Sequence, residues 1–91
     1  MSNEIAVLAK KLRKDIRTLN LKNSFKLARM IYNHDFLDWD ILKNLTSADR
    51  IEDDVKGRCE LDGDPYGRLV FYQNGSRVGF LKYDCSGYYV D

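Results

Sequence analysis

Proline, histidine, tryptophan and cysteine are nearly missing from this chain of 91 residues, which has one, one, one and two of them respectively. Each scarcity removes a class of protein. One proline and six glycines exclude collagen-like and proline-rich repeats. Two cysteines, Cys59 and Cys85, are too few for a disulfide framework or, alone, for a zinc site, and they read as reduced, half-buried thiols. No apolar run approaches the roughly 18 residues that cross a bilayer, and the start MSNEIAVLAKK lacks the basic region and longer apolar stretch of a signal peptide. No membrane is expected as a partner, and the expected location is cytoplasmic. There is no Gly-rich phosphate loop, no H-E-x-x-H and no C-x-x-C. A nucleophile and base would have to come from Cys59 or Cys85 with His34, none of them in a recognisable motif. The expectation is therefore a protein without catalysis, metal or cofactor.

What is present is ordinary globular material, 44% hydrophobic and 32% charged, enough for one small core and one domain. The net charge of +1 hides a segregation. Residues 1–30 carry eight Lys and Arg against two acids, residues 31–64 four against ten, and residues 65–91 three against two. Such a field steers partners without dictating the fold.

Ile5, Leu8, Leu12, Ile16 and Leu19 recur at spacings of three and four, which predicts an amphipathic helix over 4–18, capped by Ser2 or Asn3. Lys10, Lys11, Arg13, Lys14 and Arg17 fall on its outer face. That basic stripe is a candidate nucleic-acid surface, although cations late in a helix also suit its dipole. A second helix is expected over 24–32, capped by Ser24 or Asn23, with Phe25, Leu27, Ala28, Ile31 and Tyr32 giving a broad apolar surface. Asn33, His34 and Asp35 read as a turn.

The stretch NHDFLDWDIL holds the only His and the only Trp and superficially resembles a ligand cluster. Spacing gives its acids structural roles. Asp38 fits the N-cap of a third helix over 38–45, Leu37 and Leu42 form a hydrophobic staple, and Asp40 meets the positive end of the helix dipole. Trp39, Leu42 and Leu45 are expected inward.

The run LAKKLRKDIRTLNLKNSFKLARMIYNHDFLDWDILKNL resembles the small helical module of glyoxalase-related proteins. Ser24, Leu27, Ala28, Phe36, Asp38, Trp39 and Leu42 carry the likeness over about the first half of the chain, while His34 stands where that family usually shows Gly. The resemblance implies a helical fold, attached to other domains or encoded alone, and no activity. Glyoxalase chemistry is not implied, because the chain has no set of His and Glu ligands spread over paired β-α-β units.

Residues 47–58 are expected to be an acidic connector with a short helical turn, capped by Ser47, running through Ile51 and Val55 and ended by Gly57. Their acids lack the alternating oxygen ligands and closing Glu of an EF-hand loop. Residues 59–91 read as a β-meander. Asn74-Gly75 suits a type I′ hairpin turn. Pairing Gln73 with Ser76 then sets Phe71 opposite Val78 and Leu69 opposite Phe80, four apolar side chains on the face that helices must cover. Residues 84–87 form a further turn, 88–90 a third strand, and residues 59–61 are a candidate far edge. The expected fold is α+β, an N-terminal three-helix unit packed on a small C-terminal antiparallel β-meander of three or four strands.

Two functional readings follow. The first is a non-enzymatic protein-binding module acting by surface occupation through Asp49, Glu52, Asp53, Asp54, Asp62, Asp64 and the tyrosines Tyr66, Tyr72, Tyr83, Tyr88 and Tyr89, since Tyr offers rigid area with a polar tip. In size and style such a chain resembles accessory or inhibitor proteins of phages and plasmids, including anti-CRISPR proteins, in which an acidic surface can mimic nucleic acid. The second is a nucleic-acid-binding regulator using the basic face of the first helix. The third helix is a poor recognition helix, because its N-terminal end carries two acids where bases would approach.

Overall fold

The apolar stripe of the first segment builds α1 (Asn3–Asp15), followed by α2 (Leu21–Tyr32) and α3 (Trp39–Thr46). The computed structural model describes residues 3–33, 35 and 37–90. Expected positions Ser2, His34 and Phe36 lie outside the described residues. Ile5, Ala9, Leu12, Ile16 and Leu19 are buried on the first segment, as are Leu27, Ala28 and Ile31 on the second. Although Ile16 still donates its N–H to Leu12, α1 ends three residues before the expected boundary. Conversely, α2 begins three residues early, because Asn20 is its cap and accepts the Asn23 N–H at 2.9 Å. Ser24 is thus no cap. It is buried inside α2, where its hydroxyl donates to the Leu21 carbonyl at 2.9 Å.

The third helix starts where its cap predicts. Asp38 Oδ1 accepts from the N–H groups of Asp40 at 2.9 Å and Ile41 at 3.3 Å, satisfying donors that the first turn leaves open. Leu37 and Leu42 are both buried, as a staple requires. Trp39 departs from expectation: it is 41% exposed. Leu37, just outside the helix, belongs to the core at that end, together with Leu42 and Leu45 farther along. At the other end, Thr46 is fully buried, donating to the Leu42 carbonyl at 2.6 Å, while its own carbonyl accepts from the Thr18 hydroxyl. That bond ties α3 to the connection between α1 and α2.

Four strands follow, β1 (Arg50–Arg58), β2 (Pro65–Gln73), β3 (Ser76–Asp84) and β4 (Gly87–Tyr89), in one antiparallel sheet of order β1-β2-β3-β4. The α+β class and the division into helical and sheet halves agree with the sequence. The connector does not: residues 50–58 are a strand rather than a short helix, and Ser47 is the left-handed C-cap of α3 (φ 58°) rather than an N-cap. Ile51 and Val55 stand four apart, a spacing that fits either a helix or alternate positions of a strand. Pairing with β2 decides, placing Ile51 opposite Phe71 and Val55 opposite Gly67. Residues 59–64 consequently form the β1–β2 turn instead of an edge strand, with Leu61 fully exposed at its tip.

The β2–β3 hairpin turns at Asn74-Gly75, where φ values of 52° and 81° meet the demand of a type I′ turn. Gln73 pairs with Ser76 as expected, but a bulge then shifts the register, so Phe71 faces Gly79 and Leu69 faces Leu81. Val78 is the extra residue. The covered face therefore carries Ile51, Leu69, Phe71 and Leu81, all buried, while Val78 and Phe80 are only half-buried. Gly79 explains the shift: a Cβ there would come within 2.0 Å of the Asp15 carbonyl oxygen. The end of α1 crosses β3 at this point, and Arg17 donates its N–H to the Val78 carbonyl at 3.0 Å. Helix and sheet residues join in one core cluster.

Candidate functional site: the uncovered sheet face

Strand alternation sorts the sheet into two faces. Asp53 pairs with Leu69 and Leu69 with Leu81, so these share the helix-covered face with Tyr83 and Tyr88. Among the described residues, no helix packs on the opposite face. It presents Arg50, Glu52 and Asp54 from β1, Tyr66, Arg68, Val70 and Tyr72 from β2, Phe80 and Lys82 from β3, and Tyr89 from β4.

The charges on this face are largely paired. Arg50 meets Glu52 at 2.6 Å and stacks its guanidinium over the Tyr72 ring at 4.2 Å. The Tyr72 hydroxyl donates to the other oxygen of Glu52 at 3.2 Å. Asp54 binds Lys56 at 2.9 Å and Arg68 at 3.2 Å, and those hydrogen bonds, Lys56 first, hold its carboxyl below the usual value. Arg68 also lies over the Phe80 ring at 5.5 Å. Beneath these long side chains Val70 is buried although no helix covers it, as happens when Arg and Tyr lay their apolar parts along a sheet. The Tyr66 ring spans Gly57, where a Cβ would meet its hydroxyl oxygen at 2.7 Å. Tyr66 and Tyr89 remain exposed.

The structure does not gather the sequence-selected acids into one patch. Glu52 and Asp54 are neutralised on the open face, whereas Asp53 points to the other face and accepts from the Tyr83 hydroxyl at 2.5 Å. Burial, then that bond to Asp53, pushes the Tyr83 phenol up to about 12. Tyr83 and Tyr88 pack with their rings tilted by 44° and centroids 5.8 Å apart. Asp49 is a structural clasp: its carboxylate accepts the Asn74 N–H at 2.7 Å, and its own N–H donates to the Tyr72 carbonyl at 3.0 Å. Asp62 and Asp64 lie in the β1–β2 turn. The tyrosines divide likewise, Tyr66, Tyr72 and Tyr89 on the open face and Tyr83 and Tyr88 on the covered one.

Lys10, Lys11, Arg13, Lys14 and Arg17 are all exposed, as expected for the outer side of the first segment. Lys14 and Arg17 share a shallow recess of about 210 Å³ with Arg77 of β3. Sequence reasoning had no signal for Arg77 there. It also missed the convergence of Cys59, Asp62 and Cys85, whose donor atoms all lie within 4.8 Å of one another. The Cys85 thiol is pushed up to about 11 by its hydrogen bond with Cys59, by desolvation, and by its electrostatic neighbours, the carboxylates of Asp62 and Asp84 among them. Among the described residues, no helix is long and apolar enough to cross a membrane. Comparison with family models, with curated proteins and with solved structures finds no match to the chain.

Proposed function

We propose that this is a non-enzymatic protein-binding module that acts by occupying a partner's surface through the helix-free face of its sheet. The observation that supports it is the sidedness of the fold: the helices pack on one face over the core of Ile51, Leu69, Phe71 and Leu81, while Tyr66, Tyr72, Phe80 and Tyr89 stand among arginines on the other. Tyr and Arg are the side chains that interfaces concentrate, because each offers broad apolar area with a polar end. Cation and ring are already stacked, so the surface is partly ordered before contact, which lowers the entropic cost of binding.

A binding experiment separates this reading from catalysis or nucleic-acid contact. A stoichiometric protein partner captured by the intact chain is expected to be lost on combining Tyr72→Ala with Tyr66→Ala, and kept when Lys10, Lys11 and Lys14 are reversed to Glu. Retention of the partner by the tyrosine variant sinks the proposal.

The convergence of three cations, Lys14, Arg17 and Arg77, around a single acid, Asp15, favours one second reading, an anion-contacting surface that binds nucleic acid through phosphate. It requires micromolar binding to mixed-sequence DNA that weakens steeply with salt and falls on reversing Lys10, Lys11 and Lys14.

A further inference from the structure

We propose that the two turns at one end of the sheet form a site for a thiophilic divalent cation of the zinc class, with Cys59 Sγ, Cys85 Sγ and a carboxylate oxygen of Asp62 as ligands and a fourth position open to solvent. Cys59 follows directly on β1, and Cys85 lies in the turn between β3 and β4. Antiparallel order brings both turns to the same end, so residues distant in sequence meet there. Their donor atoms and that of Asp62 all lie within 4.8 Å of one another. Around a tetrahedral zinc with Zn–S of about 2.3 Å, two sulfurs stand about 3.8 Å apart. Closing on an ion thus asks for movement of about 1 Å, within reach of exposed side chains.

The backbone holding these donors is already fixed. Cys59 donates its N–H to the Asp64 carbonyl at 2.8 Å, and its carbonyl accepts from Gly63 at 2.9 Å. Arg58 donates to the Gly63 carbonyl at 3.0 Å. Asp62 Oδ1 accepts the Asp64 N–H at 3.0 Å, which orients the carboxylate and leaves its second oxygen for an ion. Across the gap, the Asp84 carboxylate accepts from the Ser86 N–H at 2.8 Å and from its hydroxyl, bracing the turn that presents Cys85.

Donor chemistry selects the ion. Magnesium and calcium take six or more oxygens, whereas two sulfurs and one carboxylate suit zinc and its softer neighbours. Two carboxylates, Asp62 and Asp84, act on the pair, which favours a cation in the gap, and the one cation of that turn, Arg58, is engaged by the Gly63 carbonyl. Half-burial of Cys59 and exposure of Cys85 and Asp62 leave room for water as fourth ligand. A disulfide between the same sulfurs would leave Asp62 unused and would need an oxidant that nothing in the structure supplies.

Cobalt is the probe, because it takes zinc sites and reports sulfur ligation by absorption. Titrating the full reduced chain with Co²⁺ under anaerobic conditions is expected to give one equivalent bound, a thiolate-to-cobalt charge-transfer band and the intense visible bands of tetrahedral cobalt, all bleached by Zn²⁺. Cys59→Ser or Cys85→Ser should each weaken binding at least about tenfold and diminish the charge-transfer band, with circular dichroism showing the fold retained. Asp62→Asn should weaken binding about tenfold while the charge-transfer band survives. Glu4→Gln, on the first turn of α1 and outside the cluster, should leave cobalt binding unchanged. Absence of the charge-transfer band up to millimolar Co²⁺, its persistence at full intensity in both serine variants, unchanged affinity in Asp62→Asn, or recovery of the chain as a disulfide that binds no metal even after reduction would each overturn the proposal.

Discussion

Asp38 shows how far a single residue can be read in advance. Its role follows from type and position alone, and its two accepted N–H bonds are local. Asp38→Ala is expected to cost about 1 kcal/mol of stability in a denaturant melt, with α3 otherwise intact. Tyr83 is the opposite case, because its partner Asp53 sits on another strand. Its phenol is raised from 10.0 to about 12, so the folded state holds the neutral form more firmly than the unfolded chain does. The resulting stability is fully present below pH 10.0 and is lost as pH rises toward about 12. Thermal melts of the protein and of Tyr83→Phe should therefore converge across that window, and a constant difference up to pH 12 would contradict the assigned bond. Trp39 marks a limit at this scale: helical spacing places it near the apolar stripe, yet Leu37 occupies the core at that end of α3.

Elements obey their periodicity only until they are packed. Helix ends were legible to within three residues, as Asn20 capping α2 illustrates. The acidic connector was misread because Ile51 and Val55 satisfy two periods at once, and only the ladder with β2 distinguishes them. A similar reason displaced the β2–β3 register. The turn residues Asn74 and Gly75 were correct, but the bulge at Val78 answers the approach of α1 to Gly79, a contact between elements. Gly79→Ala puts a methyl group against the Asp15 carbonyl, and backbone cannot rotate away as a side chain can. We expect a net loss of about 2 kcal/mol or more in chemical unfolding, outweighing the roughly 0.4–1 kcal/mol that a glycine-to-alanine change gains from chain entropy. The edge strand β1 carries Arg50, Glu52, Asp53, Asp54, Lys56 and Arg58, a density of charge that discourages another chain from adding to its free edge.

At the scale of the whole molecule, sidedness is the property on which the proposed function rests. Helices pack on the core of one face of the sheet, and the other keeps aromatic rings stacked under cations. If that face serves binding rather than folding, Tyr66→Ala and Tyr72→Ala should abolish partner binding while shifting the melting free energy by no more than about 1 kcal/mol each. Equal losses of stability and binding would reduce these tyrosines to packing. The amino-acid sequence by itself determined the class of fold, the order of helices before strands, the Asp38 cap and the Asn74-Gly75 turn, because propensity, capping and turn chemistry act over a few neighbouring residues. Only tertiary structure decided which acids are neutralised, which tyrosines share a face and that Cys59, Asp62 and Cys85 meet. Strand register assigns every side chain to a face, and a single inserted residue reverses that assignment. Register is set by contacts between distant segments, which no local pattern in the sequence contains.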